Sequence, residues 1–188
     1  MQLEFHGAAR EVTGSCHVVR VHGKTILLDM GLFQGRRAEV HRKNEVLPVD
    51  AHGVDAVVLS HAHIDHAGRL PYLIRRGYRG PIFTTPATRD LCRVLLTDSA
   101  HIQEKDAEFL ARRNRSYQEP LNDREHVNYT MRRMHAVPYG TRTEVAEGVW
   151  LELTDAGHIL GSASALVRTA NGPTIRFSGD LGRGQHPL

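Results

Sequence analysis

The stretch Ala56-Val57-Val58-Leu59-Ser60-His61-Ala62-His63-Ile64-Asp65-His66-Ala67-Gly68 decides how this 188-residue chain is read. Its first four residues form an unbroken apolar run, the mark of a strand buried on both faces. In extended backbone His61 and His63 lie two apart, so their imidazoles point the same way. Asp65 and His66 fall where the chain turns into a helix and can aim at a different spot. One short loop can therefore supply two ligands to each of two adjacent metal ions. Imidazole nitrogen with carboxylate oxygen suits zinc, and manganese or iron less well.

Four ligands from one loop cannot complete two sites, so the remainder must come from distant strand ends. Three candidates share one setting, an apolar strand followed by a ligand-type residue with glycine close by. His158 stands in Gly157-His158-Ile159-Leu160-Gly161-Ser162, Asp180 in Phe177-Ser178-Gly179-Asp180-Leu181-Gly182-Arg183, and Asp29 in Leu28-Asp29-Met30-Gly31. Further out, apolar runs predict strands over 3–5, 16–21, 25–29, 56–60, 81–84, 149–154, 163–168 and 174–178. Helices are expected over about 65–76, with Pro71 marking a start or kink and Gly77 a stop, over 87–113, and over 123–134. Residues 30–52 read as polar and irregular. Strands at both ends with helices between predict sheets with helices packed outside.

Composition narrows the class. Hydrophobic residues make up 40% of the chain, enough for a sizeable core. Two cysteines, Cys16 and Cys92, exclude a disulfide framework and a cysteine-only zinc site. Reduced thiols and an N-terminus without a signal-peptide pattern fit the cytoplasm, and no apolar run is long enough for a membrane span. Thirteen histidines stand out, because histidine is the commonest metal ligand. Of the 24 basic residues only Lys24, Lys43 and Lys105 are lysine. The arginine excess suits phosphate recognition, although a codon bias gives the same count. Arg112, Arg113 and Arg115 crowd the end of the long helix, where they also suit the helix dipole.

Taken together, Leu28 to Gly31, the His61 to His66 run, His158 and Asp180 resemble the successive motifs of metallo-β-lactamase-fold hydrolases. The resemblance is closer to the β-CASP group, nucleases that process RNA and DNA. It is carried by Gly7-Ala8-Ala9-Arg10-Glu11-Val12-Thr13-Gly14-Ser15, Gly68-Arg69-Leu70-Pro71, Gly77-Tyr78-Arg79-Gly80-Pro81, residues 157–164 and 178–183, and the helical excursion over 87–134. It implies an α/β fold, the αββα sandwich, and a metal-dependent phosphodiester hydrolase. The implied activity is that of an endoribonuclease in RNA processing or decay, working through a zinc-bound hydroxide, with RNA rather than DNA as partner. His61, His63 and His158 would hold one zinc, Asp65 and His66 the other, and Asp180 would bridge them. Asp29 and Asp65 are the implied catalytic residues, Asp29 orienting a ligand or the attacking water. Arginines and the backbone amides of the 7–15 loop would hold flanking phosphates.

In that family the chain continues beyond the point matching Leu188, through further strands and an inserted β-CASP domain. Residues 1–188 are therefore expected to be the N-terminal part of a metallo-β-lactamase-like domain. The family's last ligand of the second metal would lie outside them, and His186 does not match its position. One strong zinc and one weak or empty position follow, as does an open sheet edge that favours a homodimer. Two other functions remain open on the sequence: a small-molecule thioesterase or lactonase of the same superfamily, and an inactive nucleic-acid-binding fragment.

Overall fold

The structure is a computed structural model that describes residues 1–113, 119–170 and 172–183, with backbone alone at 37 and 38. Arg115 and His186 lie outside the described residues. Two sheets stack face to face. The first has six strands in the order β1 (Gln2–Phe5), β2 (His17–Val21), β3 (Lys24–Leu28), β4 (Ala56–Val58), β5 (Ile82–Thr84) and β6 (Met134–Ala136). Its first three strands pair antiparallel and its last three add on in parallel. The second sheet is antiparallel throughout, with β7 (Thr143–Ala146), β8 (Val149–Asp155), β9 (Ala163–Thr169) and β10 (Ile175–Phe177) as successive neighbours.

Strand alternation builds two cores from one sheet. On β3, Ile26 and Leu28 face the second sheet together with Val149, Leu151 and Ala165. Leu27 turns to the other side, against Leu70, Leu73, Cys92 and Leu96 of the helical layer. Val19 and Val18 on β2, and Val58 and Val57 on β4, divide in the same way. The central strands thus have no solvent face, which is why they read as continuous apolar runs. The β2–β3 turn at His22-Gly23 has positive φ at both residues, 50° and 74°, the twist that suits a two-residue hairpin.

The helices are α1 (Arg37–Glu45), α2 (Ile64–Ala67), α3 (Leu70–Arg75), α4 (Pro86–Arg112) and α5 (Arg124–Arg133). The single helix expected over 65–76 is two. After α2 the chain leaves the helix at Gly68, and Arg69 N donates to Met30 O instead. Pro71, without an N–H, then opens α3 in its first turn. A helix also stands inside the segment read as irregular. α1 is charged and shows little amphipathic period, so periodicity could not reveal it. It is held by Asn44, whose side chain accepts from Phe33 N (2.8 Å) and donates to Phe33 O (3.0 Å). β6 and β7 stand where the sequence predicts no strand. Both are short, and β7 carries a register shift between Glu144 and Ala146.

α4 starts where its sequence signals. Thr85 caps it by accepting from Thr88 N (3.2 Å), and Pro86 follows in the first turn. The same Thr85 hydroxyl and that of Thr88 donate to Gly161 O at 2.6 and 2.8 Å. The start of α4 is thereby fastened to the β8–β9 loop.

Candidate metal centre

Topology brings the ligand-type residues to one end of the sandwich. β3 and β4 are parallel neighbours, so Asp29 and the Ser60 to His66 loop leave the same edge of the first sheet. β8 and β10 both run antiparallel to β9, so His158 and Asp180 leave one edge of the second. Ala163 N donates to Ser60 O (2.9 Å) and pins the two edges together.

The structure brings together His61, His63, His158 and Asp180, with one ligand atom of each within 4.8 Å of all the others. His61 Nε2 is 3.1 Å from His63 Nδ1, which is 3.3 Å from His158 Nε2. Asp180 Oδ2 lies 3.6 Å from His158 Nε2 and 3.9 Å from His61 Nε2. A tetrahedral ion with bonds of about 2.0–2.1 Å sets its ligands roughly 3.3 Å apart, so the spacing fits. The chemistry fits too. Three imidazole nitrogens converge on one point, and each neutral ring has only one proton to offer. Burial, then the neighbouring His66, His63 and His158 rings, push the pKa of His61 down to about 2. His63 is lowered in the same sense, first by burial and then by His158. Both are neutral, as ligands must be.

Asp180 faces a second group with its other oxygen. Oδ1 lies 3.3 Å from His66 Nε2, and Asp65 Oδ2 is 3.8 Å from the same nitrogen. His66 thus stands beside both Asp65 and Asp180, and Asp180 also belongs to the first group.

Asp29 lies behind them, fully buried. Its carboxylate accepts from Ser60 N (2.8 Å), Ser60 Oγ (2.9 Å), Ser15 Oγ (3.1 Å) and His66 Nδ1 (2.6 Å). The consequence is a fixed tautomer at two rings. His66 gives its Nδ1 proton to Asp29, which leaves Nε2 with a lone pair. Ser60 Oγ spends its proton on Asp29 and so accepts from His61 Nδ1 (3.0 Å), which frees His61 Nε2. Burial opposes protonation of His66, but the Asp29 hydrogen bond and the charges of Asp29, Asp180 and Asp65 outweigh it and raise its pKa. Ser15 and Ser60 carry no signal of their own in the sequence, and neither does Ser162. The Ser162 hydroxyl accepts from His158 N (3.1 Å) and Ile159 N (3.2 Å). Only their adjacency to a ligand could have pointed to them.

Other expectations fall away from this end. Cys16 and Cys92 are free and buried, and burial pushes both thiols up to about 12, which makes them inert core residues. Arg112 is exposed and close to Glu108 (3.7 Å), and Arg113 stacks on Phe109. Among the described residues no helix is long and apolar enough to cross a membrane.

A two-sheet sandwich whose strand ends converge on a histidine–aspartate cluster is the metallo-β-lactamase fold. Residues 9–78 match the model of the metallo-beta-lactamase superfamily. A solved Cronobacter sakazakii metallo-β-lactamase with a HARLDQ motif, in mutant form, superposes with a TM-score of 0.56 at 20% identity, over 99% of this chain and 62% of its own. That likeness is one of fold. The sequence relatives carry two kinds of name, ribonuclease and transcription termination factor, the latter including FttA of Methanothermobacter thermautotrophicus, 34% identical over 96% of this chain and 27% of its own length. Ribonuclease TTHA0252 of Thermus thermophilus is 38% identical over 97% of this chain and 38% of its own length. The probable RNase MJ4 of Methanocaldococcus jannaschii is 34% identical over 96% of this chain and 39% of its own. The chain spans about two-fifths of the length of these last two relatives.

Proposed function

We propose that the chain carries the metal-binding half of a metal-dependent ribonuclease, with zinc as its native ion and RNA as its substrate. The observation that carries this reading is the position of Asp180, one oxygen among His61, His63 and His158 and the other beside His66 and Asp65. A carboxylate shared between two ligand sets is what a two-ion site requires. The ribonuclease names of the relatives favour a phosphodiester over a thioester or lactone.

Bound cations would supply Lewis acidity, lowering the pKa of a water toward neutrality and taking up charge on the phosphoryl oxygens. The protein's own residues prepare for this. His61, His63 and His158 would present three imidazole nitrogens to one ion, with Asp180 Oδ2 as a fourth donor. Asp65 and His66 define the second position. Asp29 holds His61 and His66 in the ligating tautomer, and its saturation with protein donors supports orientation of ligands as its role. One ion is held tightly by the three-histidine set, and the second more weakly.

The test is cleavage of a labelled RNA by the full reading frame that contains these residues, alongside metal analysis. Asp180→Asn keeps the shape, removes the charge and weakens the shared ligand. It should abolish cleavage and leave RNA binding largely intact, because phosphate contacts dominate affinity. Full metal-dependent cleavage by this variant would refute the two-ion reading. Cleavage of a thioester with no cleavage of RNA would redirect it to small molecules.

A further inference from the structure

Arg69 is 1% exposed, and arginine stays charged inside proteins. Its hydrogen bonds go to main-chain carbonyls. Nε donates to Gly31 O (2.6 Å), and Nη1 to Val46 O (3.1 Å) and Lys43 O (3.4 Å). Nη2 is buried with no hydrogen-bond partner among the described residues. A buried cation with an idle donor is costly unless something negative meets it.

Arg69 also lines a cavity of about 390 Å³, together with His6, Glu11, Phe33, Arg42 and Lys43. Charge there is unbalanced. Three permanent cations meet one carboxylate, Glu11, which lies 2.8 Å from Lys43 Nζ. Arg69 Cζ and Lys43 Nζ stand 4.8 and 5.3 Å from the centre of the same ring, Phe33. The fold therefore gathers like charges here instead of spreading them. Main-chain hydrogen bonds connect the cavity walls to the ligand segment. Glu11 belongs to the 7–15 loop, whose end is tied to the ligand segment by Ser15 N donating to Asp65 O (2.9 Å). Gly31, which accepts from Arg69, donates in turn to Ser15 O (2.8 Å).

We propose that this cavity is a phosphate subsite that holds the RNA backbone alongside the metal centre. Arg69, Arg42 and Lys43 are its donors, and Glu11 is an internal anion that a phosphate displaces. Guanidinium forks match phosphate oxygens in bidentate geometry, and lysine adds a point charge. The identity of the ligand rests on the ribonuclease reading above; the affinity of the cavity for a phosphate group does not.

The test uses two probes on the metal-loaded chain, inorganic phosphate and a short non-cleavable oligoribonucleotide. Arg69 also braces the end of α1, so the variants are chosen among its exposed neighbours. Arg42→Ala with Lys43→Ala removes two of the three donors and should weaken both probes at least about tenfold. It should also lower the slope of log affinity for RNA against log salt by about 0.7. Glu11→Gln removes the competing carboxylate and should tighten both probes several-fold, which a purely structural arginine would not produce. Metal content should not change. If neither probe responds to any variant, the cavity is not an anion site. If inorganic phosphate responds and RNA does not, the subsite does not serve the RNA backbone. Both probes responding while the full reading frame cleaves no RNA would strike the hydrolase reading and leave the subsite standing.

Discussion

Asp29 shows how much one side chain can organise. It has a left-handed backbone, φ 61°, a conformation Asp tolerates better than most residues. It gathers four donors and through them sets the tautomers of His61 and His66. Asp29→Asn should lower metal affinity about 10–100-fold, the usual cost of losing a partner behind a ligand. Calorimetric titration of zinc into the metal-free variant measures this, and unchanged affinity would remove Asp29 from the site. The same network makes the metal-free chain acid-sensitive. His61 is held near 2 when folded, while an unfolded histidine titrates near about 6.5. The unfolded state therefore binds more protons below about 6.5, and this contribution to stability is lost as pH falls through that window. His63 and His17, both lowered first by burial, act in the same sense. His66 opposes them, since its raised value stabilises below about 6.5 and fades as pH rises through it. Three groups against one predict that the chelated chain melts at lower temperature at pH 5 than at pH 7. The residues of the cluster were legible because histidine and aspartate at strand ends are chemically distinctive. The serines that orient them were not, because a serine in a loop is ordinary until its neighbours are known.

At the level of elements, the site depends on where helices begin and loops bend. Gly161 has φ 80°, and a Cβ there would fall 2.6 Å from Thr88 N and 2.8 Å from Ala87 Cβ. Gly161→Ala should cost more than about 1 kcal/mol in the denaturation midpoint. It should also push the His158 loop off the start of α4, so zinc affinity drops with stability. A variant that lost neither would show that this fastening does not position His158. The apolar strands were readable because each of the central ones is buried on both faces. α1 was hidden because it is kept by an asparagine bridge to Phe33 and by the carbonyls around Arg69, not by an apolar stripe. The break between α2 and α3 was half visible. Pro71 announces a start, but only the hydrogen bond from Arg69 N to Met30 O shows where the chain goes in between.

For the whole molecule, the sandwich is clamped at one end and open at an edge. β1 is the outer strand of the first sheet and exposes Phe5 (62%) and Leu3 (39%). Unpaired edges of this kind recruit other strands, so the isolated chain should self-associate, and Phe5→Lys should shift it toward monomer in sedimentation velocity. An unchanged distribution would place any association elsewhere. Chelation should lower the melting temperature by about 5–10 °C, given roughly 2.7 kcal/mol from an ion at a hundred times its dissociation constant. The clamp also has a history in time. Its contributors are dispersed along the chain, and His158 follows His63 by 95 positions. A ribosome delivers them in that order, so the first two histidines emerge long before their third partner exists. An ion that joined them early would be held by two ligands and easily lost. Secure capture has to wait until the second sheet has been made and docked, which makes metal retention a report that synthesis and folding of both sheets have finished.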